Sequence, residues 1–383
     1  MMLQFQEINT RRIVNTHKHA DGPWFWDKYS AHPYIGCRSG CMFCYLRGGY
    51  YLGQRDPETF DSIIQVKINA VDLLLKELPK LKPDIINLGD WQQPAEDRYQ
   101  ISRAMLEVLS EFDFPLSIIE RSPLVVRDVD LISQINLKSH ATVIFSISSL
   151  DPVHKAAFEA RSPGVRRRLE AMGKLASAGI RVGTALMPVI PFAGDDEDSL
   201  DTLVRATKDN GGSFVLAGGL SMAGTQALYT LEAASQMDPL LSTRIKDFYQ
   251  LKEDGKISYS PPRSYSIRLG RTVRRLCAKH GIPDRLERFI ADNILAVNKW
   301  VAEKLYLKTY DMELENANPY QIWAYRKAAW MVDDQEENLA NLYHAGGEAR
   351  LQELPGIGKG ISSQMAGWIR NFEQQTSWKK RIH

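Results

Sequence analysis

Two regimes of hydrophobic patterning divide the chain. Between about residues 85 and 217, short apolar runs alternate with stretches whose apolar residues recur at helical spacing. "DIINLGD" is an apolar run ending in Gly89, and "DRYQISRAMLEVLSEF" follows it with helical periodicity. "FPLSIIE" precedes "SPLVVRDVDLISQI", where Ser122-Pro123 makes a good helix start. "ATVIFSIS" is the clearest strand, because Val143, Ile144, Phe145 and Ile147 suit a sheet buried on both faces. "GVRRRLEAMGKLASAG" predicts a helix stopped by Gly179, "IRVGTALMPVI" the next strand, and "SFVLAGG" closes the series after one more helix. With "HPYIG" as an earlier strand, about six βα units result, which predicts an α/β fold with a parallel sheet, too short for an eight-fold barrel.

After about residue 265 the pattern changes. "RLGRTVRRLCAKHG", "DRLERFIADNILAVNKWVAEKLYLKTYDMELE" and "YQIWAYRKAAWMVDD" are helical in period, and no strand-like run returns. The expected organisation is an α/β domain over 1–295 and a smaller all-α domain over 296–383.

Composition changes little in this picture. The chain has 383 residues, 44% hydrophobic and 25% charged, as soluble globular proteins do. A net charge of +2 excludes a strongly basic protein, although local patches do not need a high total. The start "MMLQFQEINTRRIV" lacks the apolar core of a signal peptide, and no apolar run reaches the roughly 20 residues that span a bilayer. Four cysteines, three of them crowded, do not make a secreted disulfide framework. The expected compartment is the cytoplasm, with no membrane partner.

The chemistry concentrates in "YIGCRSGCMFCYLRGG". Cys37, Cys41 and Cys44 are spaced C-x3-C-x2-C, with Gly36 and Gly40 beside them to let the backbone turn tightly. A structural zinc would need a fourth ligand, for which His32 is available. A cubane of four irons fits three thiols better, because three irons take thiolates and the fourth stays open to a substrate or cofactor. Cys277, in "RRLCAKHGIP", sits in a helical pattern and reads as a core thiol.

With Phe43 directly before the last cysteine, the motif resembles that of the radical S-adenosylmethionine superfamily. The resemblance implies a partial (β/α)6 TIM-type barrel, a 4Fe-4S cluster and S-adenosyl-L-methionine, cleaved by one electron to a radical that abstracts hydrogen from a substrate. It also implies an electron donor such as a flavodoxin or ferredoxin. "ERSPLVVRD", "FSIS" and "FEARSPGVRRRLEAMGKLASAGIRVGTALMPVIP" resemble the spore photoproduct lyase-like branch, which includes an enzyme that splits a thymine–thymine lesion in DNA. By that likeness Phe43 lies near the adenine, Gly89 and Asp90 receive the methionyl amino group, and Ser146 contacts the cofactor. Arg168 and Lys174 become candidates for its carboxylate. In one respect the sequence departs from the branch: "LGDWQQPAEDRY" holds Asp90 and Trp91 where the lyase has a hydrogen-donating cysteine.

Near the C-terminus, "LQELPGIGKGISSQMAGWI" carries a glycine-rich turn, Gly356, Ile357, Gly358, Lys359 and Gly360, between helical stretches. Free amides at a helix start, with a lysine beside them, suit a phosphate oxygen. The turn resembles a helix-hairpin-helix, and with "ENANPYQIWAYRKAAWMVDD" it resembles the small N-terminal domain of family X DNA polymerases. That implies sequence-independent grip on nucleic acid, expected to be DNA; a protein-interaction bundle is the competing reading. Aromatic residues in "PWFWDKY" and "YLRGGYY" suit either a lid over the cluster or stacking on an extruded base. The expected function is a radical enzyme acting on DNA, by lesion repair or base modification. RNA or a small molecule as target, and an iron–sulfur DNA-binding protein without turnover, are the alternatives.

Overall fold

A computed structural model describes residues 2–20, 22, 24–48, 52–89, 91, 94–251 and 258–382, apart from the side chains of 258 and 376–382. It divides into two compact units, one of residues 1–17 and 27–286, the other of 18–26 and 287–383. The division therefore falls at 286/287 rather than at 295, and the second unit also takes in a short N-terminal segment.

In chain order the first unit holds β1 (Gln4–Ile8), β2 (Val14–Thr16), β3 (Tyr29–Ala31), β4 (Tyr34–Ile35), β5 (Ile63–Lys67), α1 (Ala70–Glu77), β6 (Ile86–Leu88), α2 (Pro94–Tyr99), α3 (Ile101–Glu111) and β7 (Leu116–Glu120). There follow α4 (Val129–Lys138), β8 (Ala141–Ser146), α5 (Pro152–Phe158), α6 (Val165–Ser177), β9 (Arg181–Val189), α7 (Glu197–Asp209) and β10 (Val215–Gly219). The unit closes with β11 (Met222–Ala223), α8 (Gly224–Met237), α9 (Pro239–Tyr249), β12 (Ser258–Tyr259) and α10 (Arg263–Lys279). The main sheet has the order β10-β9-β8-β7-β6-β3-β2. From β3 to β10 all neighbours are parallel, and β2 runs antiparallel at the edge. Six parallel strands in sequential order are the architecture expected of a partial (β/α)6 barrel, and the fold class read from the sequence holds.

Every residue of β8 is buried, as its unbroken apolar run requires. Ile118, Val143, Phe145 and Ile147 share one core with Leu106, Leu109, Ile132, Leu175 and Leu203 of the covering helices. Ser122 caps the short helix after β7 by accepting the Leu124 N–H at 3.1 Å, as the Ser-Pro signal indicated. Cys277 lies in the same core on α10, and burial pushes its thiol up to about 12.

Two expectations about elements of the first unit need correction. "HPYIG" does form a strand, but β4 pairs antiparallel with β5 in a separate sheet, β1-β5-β4. The first parallel strand of the barrel is Tyr29–Ala31; Pro33, which has no N–H to give a ladder, stands between the two. Likewise, "DRYQISRAMLEVLSEF" is two helices, broken at Gln100, whose φ of 52° is left-handed.

The second unit holds α11 (Ala296–Leu314), α12 (Pro319–Asp333), α13 (Leu339–Gln352) and α14 (Lys359–Ile382). The stretch before Ala296 is not helical as its periodicity suggested. There Asn293 Oδ1 accepts the Leu295 N–H at 2.9 Å, a local turn that competes with the helix. Val301, Leu305, Ala328, Leu351, Met365 and Ile369 are buried in this unit. Trp26 is buried here too, 5.4 Å from the Tyr306 ring and beneath the Arg288 guanidinium, so this aromatic is a core side chain rather than a lid. Among the described residues no helix is long and apolar enough to cross a membrane.

Candidate functional site

The three cysteines lie on the loop after β4, held from several directions. Cys37 N–H donates to Phe60 O at 3.1 Å, and Met42 N–H donates to Phe158 O, at the end of α5, at 2.9 Å. Inside the loop, Gly40 N–H bonds Cys37 O and Cys44 N–H bonds Cys41 O, both at 3.1 Å. The glycines are required by shape. Gly36 has φ 94°, and a Cβ there would lie 2.8 Å from Ile63 O; at Gly40, with φ 56°, it would lie 2.5 Å from Asp61 Oδ2.

Helix α8 clamps the far side of the loop. Gln226 is fully buried, accepts the Ala223 N–H at 2.7 Å, and donates to Phe43 O at 3.1 Å. Thr225 Oγ1 donates to Arg47 O at 2.6 Å, and Thr230 Oγ1 to Met42 O at 3.2 Å. Sequence periodicity gave no hint of this clamp, because contacts across 180 residues of chain leave no local pattern.

Adjacent parallel strands bring polar groups to the thiols at their C-terminal ends, the edge on which sites of such sheets are built. Arg121, directly after β7, donates to Cys41 Sγ at 3.3 Å and to Ser146 Oγ, at the end of β8, at 2.7 Å. It also pairs with Glu159 at 3.0 Å and lies 5.2 Å from the Phe43 ring centroid. Glu159 pairs on its other side with Arg168 at 2.6 Å. Burial pushes the Glu159 carboxyl up, but Arg121 and Arg168 outweigh it and hold it at about 2.

The sequence candidates separate accordingly. Phe43 and Ser146 meet at Arg121, and Gly89 directly follows β6, where an added Cβ would touch Ile119 O at 3.5 Å and the His32 ring at 3.6 Å. Arg168 is fully buried, and its guanidinium is taken up by Glu159, Ser146 O and Pro163 O. Lys174 is exposed on α6, on the outer face of the helix that buries Arg168. Asp90 lies outside the described residues. Trp91 is fully buried, its N–H bonded to Glu120 and its indole N–H to Asp128, at 2.6 and 2.7 Å. Arg121 and Glu159 stand within "ERSPLVVRD" and "FEARSPG" without having been singled out. The available signal was a cation at the exit of a strand, followed at once by a Ser-Pro helix start.

Burial raises all three thiols, Cys37 to about 12 and Cys41 to about 11, the latter against the pull of Arg121. Buried thiols with raised affinity for protons call for a cationic partner if they are to ionise. Among the described residues no group of three or more His, Cys, Asp or Glu is arranged to hold a single metal ion. A structural zinc takes four ligands, whereas a polynuclear cluster spreads three thiolates over three irons. Three cysteines on one loop, with the Arg121 guanidinium against Cys41 Sγ, fit a cluster with one open iron.

In the second unit, the glycine-rich turn joins α13 to α14. Ile357 is buried, while Gly356, Gly358, Lys359 and Gly360 are exposed. A Cβ added at any of the three glycines would meet nothing within 4 Å. Gly356 alone needs glycine for conformation, at φ 80°. Internal packing thus does not explain the run; in the first turn of α14 the Ile361 and Ser362 amides bond Gly358 O.

Comparisons with known proteins agree with the fold. The chain is similar to spore photoproduct lyase with bound AdoMet and dinucleoside spore photoproduct, with a TM-score of 0.53 and 17% identity, over 72% of this chain and 79% of that one. A second lyase structure, complexed with dinucleoside spore photoproduct, gives 0.53 and 18% over the same shares. The first unit thus has the fold class of these lyases. In sequence, an uncharacterized protein of Mycobacterium tuberculosis is 27% identical over 284 residues, 73% of this chain and 81% of that protein. One of Methanocaldococcus jannaschii is 30% identical over 170 residues, 44% of this chain and 63% of that protein. No protein-family model matches.

Proposed function

We propose that the chain is a radical S-adenosylmethionine enzyme acting on nucleic acid. The observation that carries this reading is the meeting of three thiols, those of Cys37 and Cys41 buried and that of Cys44 half-buried, with Arg121 and Ser146 at the C-terminal edge of a six-strand parallel sheet. Cys37, Cys41 and Cys44 would hold a 4Fe-4S cluster. When bound, the cluster and S-adenosylmethionine supply a one-electron cleavage that delivers a hydrogen-abstracting 5′-deoxyadenosyl radical; the electron would come from a flavodoxin- or ferredoxin-type donor.

The protein's residues do the rest. Arg121 touches the Cys41 sulfur, and it suits the cofactor carboxylate, which needs pairing when desolvated. Arg168 serves behind it: its pairing with Glu159 fixes the carboxylate that in turn orients Arg121. Ser146 Oγ holds the other arm of Arg121. Phe43 offers an apolar face for an adenine, and the backbone at Gly89, directly after β6, would receive an amino group.

DNA is supported as the target by the likeness to lyases bound to a dinucleoside photoproduct and by the open glycine-rich turn of Gly356 to Gly360. A second reading has its own support. Trp91, near where the resembling lyase carries a hydrogen-donating cysteine, is fully buried and tied to Asp128, so it is no free donor. That favours a different outcome for the substrate radical, on DNA, RNA or a small molecule, over lesion cleavage. The test is anaerobic reconstitution followed by dithionite and S-adenosylmethionine. Formation of 5′-deoxyadenosine, abolished in Cys41→Ala, is expected; bound cluster without any 5′-deoxyadenosine would leave a non-catalytic iron–sulfur protein.

A further inference from the structure

We infer that Arg47 is a positioning residue of the thiol loop and that its charge raises the reduction potential of the cluster bound there. This inference rests on the iron–sulfur reading above. Arg47 follows Cys44 by three residues and is 4% exposed. Its Nη2 donates to Asp61 Oδ2 at 2.6 Å and to Gly40 O at 3.2 Å. The guanidinium lies 5.1 Å from the Phe60 ring centroid and 4.8 Å from that of Tyr229. Its own carbonyl accepts from Thr225 Oγ1. One side chain therefore joins the turn between Cys37 and Cys41, the segment whose Phe60 carbonyl holds Cys37, and helix α8.

The charge balance around Arg47 points outward from this pair. Asp61 is shared with Arg161 at 3.1 Å, so two arginines divide one carboxylate. Arg47 Nε is buried with no hydrogen-bond partner among the described residues. A buried cation in partial deficit is costly unless an anion stands nearby. A thiolate-ligated cluster is such an anion, and it gains negative charge on reduction. A fixed positive charge beside it favours the reduced form, and the contact of the guanidinium with Gly40 O puts this one on the turn between Cys37 and Cys41. Asp61 opposes this field from behind the guanidinium.

Charge and geometry can be separated by substitution. Lysine keeps the charge but lacks the planar guanidinium that lies against the Phe60 and Tyr229 rings. Methionine keeps apolar bulk between the two rings and removes the charge. The full chain, reconstituted anaerobically, is titrated electrochemically with the cluster followed by electron paramagnetic resonance, and iron retention is timed after exposure to air. Neither cofactor nor substrate is needed. Arg47→Met is expected to lower the potential, and Asp61→Asn to raise it. Arg47→Lys is expected to keep a potential near that of the parent while losing iron several-fold faster. Equal potentials in parent and Arg47→Met, or shifts of one sign in Arg47→Met and Asp61→Asn, would overturn the inference. A parent protein that assembles no cluster would instead defeat the iron–sulfur reading, and this inference with it.

Discussion

Glu159 is the carboxylate that two guanidinium groups share beside the thiols. It stands buried between Arg121 and Arg168, and its removal would leave two interior guanidinium groups short of an anion. Glu159→Gln is expected to cost roughly 3–5 kcal/mol, the usual consequence of breaking one member of a buried ionic set, measurable by chemical denaturation. The pH dependence follows from the depressed carboxyl. Its value in the fold is about 2 against an ordinary 4.5, so its contribution is fully present above about pH 4.5 and is lost as pH falls toward 2. In acid titrations of stability, the Gln variant should lack that part of the decline; an unchanged acid limb would remove Glu159 from the account.

Among the elements, the thiol loop and helix α8 behave as one piece. Gln226 satisfies both the start of α8 and the Phe43 carbonyl, so Gln226→Ala is expected to cost about 1–3 kcal/mol and to lower iron retention. Gly40→Ala should be worse for the cluster than for global stability, because it forces a left-handed residue costing about 1–2 kcal/mol against Asp61. Iron content per folded chain, compared with the melting temperature, checks both. The alternation of strands and helices was legible in "ATVIFSIS" and its neighbours because burial on both faces writes a local apolar run. The break at Gln100 and the displacement of "HPYIG" to a side sheet were not legible, since tertiary pairing decides them. Cys37, Cys41 and Cys44 could be read directly from their spacing. Arg121 and Glu159 could not, because an arginine after one strand and a glutamate after α5 become partners through the parallel order of the sheet.

At the scale of the whole molecule, the proposed function divides between the two units. The open turn at Gly356 to Gly360 would grip phosphate without reading bases, so Lys359→Glu should weaken duplex binding equally across sequences. The dependence of log affinity on log salt should become shallower by about one phosphate contact or more. Substrate-free 5′-deoxyadenosine formation should not change. Loss of that activity in Lys359→Glu, or undiminished binding, would contradict the division of labour.

The measurement that reaches the centre of this account is iron and acid-labile sulfide on protein purified without air, with and without Cys37→Ala. About four of each per chain are expected, together with a reduced-state paramagnetic signal that changes when S-adenosylmethionine is added and is lost in the variant. Stoichiometric zinc without iron, unaltered by Cys37→Ala, would contradict it.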